Sequence, residues 1–405
     1  MFDNLGRSQN PAPRRRLVNS RLARLAALVA CGGGLLAATA RPSGAAYRLL
    51  SPRRYLDRVH GGWLGQAIGV TMGAPYEFRI KFPGPELTYY KDLPDGCRDQ
   101  DDLYVELVAL VALERHGCNV TPRALAQEWL TYLRPEVLWA ANRIAYECFQ
   151  RGVWPPDSGR PPANKRFQSI DAQIEADIWG LIAPGMPDTA RRLAERAGSL
   201  TNSGTGADGA RFVATAYSLA FFEHDPRALV RSALGSIHPD SDYAQMVRDI
   251  LDWHAEMPDW REARRRLDDK YSERYGGISA LINSGAVIIG LLYGRGDFER
   301  TILIATMAGW DADCNPSTAG GIVGTMIGAS RIPLRWKQPI KDAYHNQSAL
   351  PRLPKEFSIS DLAARTAAIG ERVIVAHGGR VIERGDCIAY AVLRQPVRAG
   401  PAERD

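Results

Sequence analysis

Two series of glycines that recur at every fourth position constrain the fold of this chain more than any other feature. Their members are Gly61, Gly65, Gly69 and Gly73, then Gly320, Gly324 and Gly328. Residues four apart lie on one face of a helix, and a glycine in a helix interior costs up to about 1 kcal/mol. We therefore expect each series to form a helix face without side chains, where two central helices approach closely.

Helical patterns continue from Pro52 to about Ala368, and strand signals are sparse there. A capping residue followed by proline, which is typical of a helix start, occurs at Thr121-Pro122, Asp225-Pro226 and Asn315-Pro316. The segments 103–114 and 211–222 are apolar on most faces, as buried helices are. These patterns predict an all-α domain over residues 47–369.

The C-terminal segment has a different pattern. Val373–Ala376 and Cys387–Leu393 are rich in strand formers and flank a Gly378-Gly379 turn. We predict a short β-ribbon here, so residues 370–405 form a β-rich appendage rather than a second domain.

The net charge of +6 belongs to the first 46 residues. These contain seven arginines and one acid, Asp3, so they sum to 7 − 1 = +6 and residues 47–405 sum to zero. A basic surface that gathers phosphate backbones is therefore not predicted for the body of the chain, and nucleic acid is not an expected partner.

Residues 1–46 are typical of an export signal. The run Arg14–Val18 resembles a twin-arginine signal, and the apolar stretch Leu25–Ala40 is shorter than the ~20 residues that a membrane span needs. An ordinary secretory signal is the alternative. The run Leu28–Gly32 also resembles a lipoprotein cleavage box, which would place a lipid anchor on Cys31. We expect an exported protein without a membrane span.

Acidic residues follow the first glycine series, precede the apolar helix that starts near Leu103, and precede the second glycine series. Glu77 follows the first series, 99–102 contains three aspartates, and Asp311 and Asp313 precede the second series. Acids at helix N-termini can be simple caps. Adjacent carboxylates, however, repel one another unless a cation or a proton lies between them, and Mg²⁺ and Mn²⁺ favour such oxygen ligands. Spacing alone leaves both interpretations open.

Three stretches of the chain, in this order and spacing, resemble the signature stretches of the ADP-ribosylglycohydrolases. They are Gly65–Phe78, Gln100-Asp101-Asp102 and Gly309–Gly328, and the similarity spans about residues 53–340. The resemblance implies an all-helical bundle with two Mg²⁺ or Mn²⁺ ions in a cleft. It also implies hydrolysis of an N- or O-glycosidic bond to a ribose-like sugar.

The resemblance assigns roles to individual residues. It implies catalytic roles for Glu77, Asp102 and Asp313. The residues that it places at the metals are Gln100, Asp101, Asp102, Asp311, Asp313 and Cys314. Gln100, Leu103 and Cys314 replace threonines of the family pattern, and a thiol is a poor ligand for Mg²⁺. One metal site is therefore expected to be altered or tuned to a softer ion.

A glycine-rich segment between the acidic stretches contains a formal G-x-G-x-x-G at 204–209. No strand precedes it, which excludes a dinucleotide fold. The resemblance places Gly204, Thr205 and Gly206 near the substrate, where backbone N–H groups can bind a diphosphate; a flexible connection into a helix from Arg211 is the alternative. Trp310 adjoins the acids and can stack on a base, although tryptophan is more often core.

These observations predict a metal-dependent glycohydrolase that acts on a small-molecule or ADP-ribosyl-type substrate. Two alternatives remain: an exported furanosidase or nucleosidase with another substrate, and a binding protein on the same fold without catalysis. The D-x-D at Asp311–Asp313 also suits phosphatases and glycosyltransferases, but these need alternating strands and helices, which the sequence lacks.

Overall fold

The computed structural model describes residues 47–385 and 387–401. The predicted leader, including Cys31, lies outside the described residues. The all-α prediction is confirmed, since helices build nearly the whole described body. The α-helices are α1 Pro52–Gly73, α2 Asp101–His116, α3 Pro122–Tyr132, α4 Ala140–Gln150, α5 Asp171–Ile174, α6 Asp177–Leu181, α7 Pro187–Gly198, α8 Gly204–Ala220, α9 Pro226–Leu234, α10 Asp242–Glu256, α11 Trp260–Leu267, α12 Glu273–Tyr275, α13 Ala280–Gly294, α14 Phe298–Met307, α15 Cys314–Ile327, α16 Leu334–Lys337 and α17 Ile359–Ala376.

Helices α1 and α15 form the centre of the fold, and the glycine series are their contact. A Cβ atom added at Gly61 would lie 2.1 Å from the carbonyl oxygen of Gly324, and one at Gly65 would lie 2.2 Å from that of Gly320. The pairing runs antiparallel, so the end of α1 at Gly73 meets the residues just before α15. The predicted close approach of two central helices is confirmed.

Two of the three predicted helix starts are confirmed. Thr121 and Asp225 cap α3 and α9 with their side chains, and proline follows each at the first helical position. The third prediction is two residues off, because α15 begins at Cys314 with Asp313 at the N-cap. Pro316 is accepted inside the first turn, where backbone N–H groups have no intrahelical partner.

The predicted strand Val373–Ala376 is wrong, because these residues are the last turn of α17. Val373 and Ile374 are fully buried, and their packing overrides the strand preference of a β-branched run. The strands of the tail are β5 Arg380–Arg384 and β6 Cys387–Leu393, and β6 pairs antiparallel with β1 Tyr47–Leu50.

A second small sheet lies within the helical body, in the order β2 Cys97–Arg98, β3 Ala343–His345 and β4 Glu356–Ser358. Residues 47–382 and 388–401 form one compact unit, which holds the helices and the carboxylates; of the described residues only 383–385 and 387 fall outside it. None of the described helices is both long and apolar enough to cross a bilayer.

Candidate active site

The antiparallel pairing of α1 and α15 brings two of the predicted acidic stretches together. A Cβ at Gly73 would lie 2.0 Å from the carbonyl oxygen of Ala312 and 2.5 Å from the Cα of Asp313. Only a glycine permits so close an approach. The approach places the chain that leaves α1 beside the start of α15. Glu77, four residues later, thereby reaches the same region as Asp313.

A backbone hydrogen bond joins these two stretches. The N–H of Phe78 donates to the carbonyl of Trp310 over 2.8 Å. Both residues have positive φ, 49° for Phe78 and 57° for Trp310, a conformation that costs a non-glycine residue roughly 1–2 kcal/mol. Such strain persists only where the surroundings impose it, and it concentrates at functional sites.

The carboxylates of Asp311 and Asp313 and the thiol of Cys314 form a buried group. One ligand atom from each lies within 4.8 Å of the others. The Cys314 thiol also donates to Oδ1 of Asp101 over 3.5 Å, which links the start of α2 to the start of α15. Asp102 is 2 % exposed and completes the cluster, with its Oδ1 accepting from the N–H of Leu103.

Burial and mutual repulsion disfavour the charged forms of these acids. Burial, followed by Asp313 and other nearby carboxylates, raises the pKa of Asp101 to about 7. Burial and Asp101 raise the pKa of Asp102 well above its usual value, and burial and Asp313 do the same for Asp311. The pKa of Asp313 is raised chiefly by its burial. Without a counter-charge, this group cannot be fully ionised at neutral pH.

Two oxygens of this cluster accept no hydrogen bond while Asp311 and Asp313 are both ionised, although the two carboxyl groups are close enough to share a proton. They are Oδ1 of Asp311 and Oδ1 of Asp313, and both are inaccessible to solvent. In the described part of the chain, no lysine or arginine pairs with either carboxylate. A buried, unpaired carboxylate oxygen is unfavourable unless a cation or a proton satisfies it, so these residues fit a hard divalent cation.

Glu77 differs from the aspartates because it remains exposed to solvent. Partial burial and the Asp313 carboxylate raise the pKa of Glu77, and Arg79 opposes them. The site therefore combines aspartates that are largely shielded from solvent with one solvent-exposed carboxyl group, that of Glu77, whose pKa is also raised.

The other predicted site residues take separate positions. Gln100 is the half-buried N-cap residue of α2, directly before Asp101, and its side chain caps no backbone N–H. Trp310 lies between the two acidic stretches, with the Arg264 guanidinium 3.3 Å from its ring centroid. Trp139, which is not among these predicted residues, is 68 % exposed at the start of α4.

Gly204, Thr205 and Gly206 are buried in the first turn of α8. The predicted loop into a helix from Arg211 is corrected, since α8 begins seven residues earlier. A Cβ at Gly206 would lie 2.5 Å from the carbonyl oxygen of Phe167, so this turn packs under the chain that precedes α5. A role of these residues in substrate binding stays a prediction.

A further group of buried acids surrounds the cluster, and sequence reasoning missed it. Asp171 accepts hydrogen bonds from two backbone N–H groups, those of Ala141 and Asn142, and its charge raises the pKa of Asp101. Deeper in the core, Glu106 accepts from the N–H of Ile178 over 2.8 Å, and Asp177 accepts from the hydroxyl of Tyr217 over 2.6 Å.

Glu106 and Asp177 behave as one unit. Oε2 of Glu106 and Oδ1 of Asp177 are buried without a hydrogen bond. Burial raises the pKa of Glu106 to about 8, and burial together with Glu106 raises the pKa of Asp177 well above its usual value. The pair therefore holds a proton at neutral pH. A signal was present in the sequence, since Glu106 interrupts the apolar pattern of α2.

Fold and site together define a class of protein. It is an all-helical domain with a buried acidic centre at the end of two helices that pack through glycines. Comparison with known proteins makes this more specific. The ADP-ribosylglycohydrolase family matches residues 51–368, and the chain belongs to that family. No curated protein sequence matches the chain.

A solved structure described as an ADP-ribosylglycohydrolase-related protein complex has the same fold. Its sequence is 20 % identical, the TM-score is 0.54, and the match covers 78 % of this chain and 98 % of that chain. At this identity, the likeness establishes the fold alone.

Proposed function

We propose that this protein hydrolyses an N- or O-glycosidic bond to a ribose-type sugar and needs Mg²⁺ or Mn²⁺, with two ions per chain. The observation that carries the proposal is the pair of buried, unpaired oxygens on Asp311 and Asp313. A cation would satisfy both oxygens and remove the repulsion that raises the pKa of these acids. Family membership supports the hydrolytic chemistry.

Asp101, Asp102, Asp311 and Asp313 are the residues that would hold the ions. Bound ions would supply fixed positive charge that orients sugar hydroxyls and a water molecule. The Cys314 thiol lies within this group, and its pKa is raised well above the usual value by burial and by Asp311. It therefore remains a neutral donor to Asp101 while no cation is bound.

Glu77 is the proposed acid–base residue. Its carboxyl group is the exposed one, and partial burial and Asp313 raise its pKa, which favours a role as a proton donor. Cleavage of a glycosidic bond needs a carboxyl group that protonates the leaving group or deprotonates the attacking water. The hydrogen bond between Phe78 and Trp310 fixes the backbone next to Glu77 and holds it against the aspartates.

The proposed substrate is a small molecule or a conjugate that carries an ADP-ribosyl group. Trp310 is held by Arg264 next to Asp311 and offers an aromatic surface for a base. A contact of Gly204, Thr205 and Gly206 with a diphosphate stays a prediction, and the N–H of Gly206 already donates to the carbonyl of Ser203 over 3.1 Å. A furanosidase or nucleosidase with another substrate remains the alternative within the same chemistry.

Export is a separate part of the proposal. Residues 1–46 carry the arginine-rich and apolar pattern of a signal, and the family match begins only at residue 51. We expect the mature enzyme outside the cytoplasm, free or anchored through a lipid on Cys31. Mass spectrometry of the protein isolated from its host would identify the new N-terminus and any lipid.

The test is an assay for release of ADP-ribose from N- and O-linked conjugates, with nucleosides as a second panel. We expect metal-dependent turnover that falls by at least roughly 100-fold in Glu77→Gln, while metal binding is retained. Glu114→Gln, an exposed glutamate on α2, is the matched control. Turnover of nucleosides alone would favour the furanosidase, and binding of ADP-ribose without any turnover would favour the non-catalytic protein.

A further inference from the structure

A cavity of about 650 Å³ lies at the opposite end of the central helix pair from the carboxylates. Its wall combines the first turns of α1 with the residues that follow α15, and the turn after α8 closes it. Helix α15 has 14 residues, so its rise of 1.5 Å per residue separates the two regions by about 20 Å. The cavity is thus distinct from the candidate active site.

Four arginines line this cavity: Arg54, Arg58, Arg295 and Arg331. Among the described residues that line the cavity, Asp57 is the one acid, and it is hydrogen-bonded within the wall itself. Its two carboxylate oxygens accept from the backbone N–H and the hydroxyl of Ser330, over 2.9 Å and 3.0 Å. The cavity therefore has an excess of positive charge, although residues 47–405 sum to zero.

In the described part of the chain, no carboxylate lies within ion-pair distance of these four guanidinium groups. The neighbouring acids are bound to backbone instead. Asp225 caps α9 through the N–H groups of Arg227 and Ala228, and Glu223 accepts from the N–H groups of His224 and Asp225. Within the described residues, these guanidinium charges therefore have no directly paired carboxylate, and Asp57 acts on Arg58 only through space.

Arg58 and Arg54 both point at one neutral acceptor. Arg58 is 6 % exposed, and its Nη1 donates to the carbonyls of Ala220 and Thr325. Its Nη2 lies 3.5 Å from Nε2 of His224, and Nη2 of Arg54 lies 3.4 Å from the same nitrogen. Two cations thus converge on an imidazole nitrogen, a position that an anionic oxygen would occupy more favourably.

The protonation states agree with this geometry. Burial, and then Arg58 and Arg54, lower the pKa of His224, which keeps the ring neutral. Burial and Arg54 lower the pKa of Arg58 to about 10, so it remains charged at neutral pH. A buried guanidinium without a counter-ion is unfavourable, and a bound anion would stabilise it.

From this arrangement we propose that the cavity binds a phosphate-bearing small molecule. A guanidinium group can bind two oxygens of one phosphate at the same time through two parallel N–H groups, which the single ammonium group of lysine cannot do. A volume of about 650 Å³ is within the range of small-molecule sites. Met326 supplies an apolar surface in the wall, against which the organic part of a phosphate ester can pack. The proposal does not depend on the glycohydrolase activity.

Inorganic pyrophosphate is the probe for this site, and calorimetry of the metal-free protein excludes phosphate binding through active-site metal. We expect saturable binding to the wild type. The double variant Arg54→Gln with Arg331→Gln should bind at least roughly tenfold more weakly, because it loses two charged donors but keeps the buried Arg58. Inorganic phosphate and adenosine 5′-monophosphate, titrated next, distinguish a free phosphate from an ester.

The matched control is Arg53→Gln with Arg372→Gln, which removes two exposed arginines outside the cavity. This control should bind pyrophosphate as the wild type does. The proposal is overturned if the wild type does not bind, if the cavity variant binds unchanged, or if the control loses as much affinity. Equal melting temperatures of the three proteins would show that a loss of binding is not a loss of folding.

Discussion

Phe78 donates its backbone N–H to the carbonyl of Trp310 over 2.8 Å, and both residues lie in the left-handed region of φ. This bond joins the chain that leaves α1 to the chain that enters α15. Glu77 precedes one partner and Asp311 follows the other. The position of the exposed carboxyl group relative to the buried aspartates therefore depends on two strained residues.

Phe78→Gly and Phe78→Val test that strain. Both variants remove the same ring, which is 52 % exposed, but only glycine adopts a positive φ readily. We expect Phe78→Val to be less stable than Phe78→Gly by about 1–2 kcal/mol, since a β-branched residue is strongly disfavoured at positive φ. Chemical denaturation gives the difference, and equal stabilities would contradict a strained position.

Gly65→Ala tests the contact between the central helices. The new Cβ would lie 2.2 Å from the carbonyl oxygen of Gly320. This oxygen belongs to the main chain of α15, so it cannot move aside as the end of a flexible side chain can. We expect a loss of about 3 kcal/mol or failure to fold. Gly198→Ala in α7 is the control, because its Cβ would meet only methyl groups, at 3.2 Å and 3.4 Å. Thermal melts measure the stability of both variants. Similar melting temperatures for Gly65→Ala and Gly198→Ala would exclude close packing of α1 against α15.

The glycine contact was predictable from the sequence because residues four apart lie on one face of a helix. Glycine destabilises a helix interior, so a repeat of glycines indicates a close contact on that face. The acidic stretches were predictable for a related cause, since Glu77 and Asp311–Asp313 lie next to an end of a glycine series and 99–102 lies directly before an apolar helix. In both instances the information is local in the chain. The same holds for the caps Thr121 and Asp225.

Features that depend on contacts between distant segments were not predictable. Val373–Ala376 has strand preference, yet burial against the core makes it helical. Gly204–Gly209 resembles a loop, yet packing on Phe167 makes its start a helix. The acids at 171 and 177 lie in very short helices, and nothing in their local sequence shows that they approach Asp101 and Glu106.

Glu106→Gln tests the protonated pair in the core. The folded-state pKa of Glu106 is raised from 4.5 to about 8. Its contribution to stability is therefore fully present below pH 4.5 and is lost as the pH rises through about 8. We expect the free energy of unfolding of the wild type to fall over this range, by up to about 1.4 kcal/mol per pH unit for one proton.

In Glu106→Gln the decline should be smaller, because the amide cannot ionise. Denaturant titrations between pH 5 and pH 9 provide the measurement. Glu114→Gln, on the exposed side of the same helix, should keep the wild-type slope. If Glu106→Gln also declined as the wild type does, the proton would not reside on Glu106.

Cys314→Ser tests the preference of the proposed metal centre. The thiol is a soft ligand and the hydroxyl a hard one, so the exchange should shift the ratio of Mg²⁺ to Cd²⁺ affinity toward Mg²⁺ by at least roughly tenfold. Cys118→Ser, a half-buried cysteine outside the cluster, is the control. Competition titrations measure the ratio. An unchanged ratio in Cys314→Ser would place the thiol outside the coordination shell.

The central claim is that the buried aspartates bind divalent cations, and calorimetric titration of metal-stripped protein with Mg²⁺ and Mn²⁺ tests it most directly. We expect saturable binding of about two ions per chain, strengthened by ADP-ribose. Asp313→Ala should remain folded and lose both metal binding and turnover. Absence of binding in the wild type, or full binding and activity in Asp313→Ala, would contradict the proposed site.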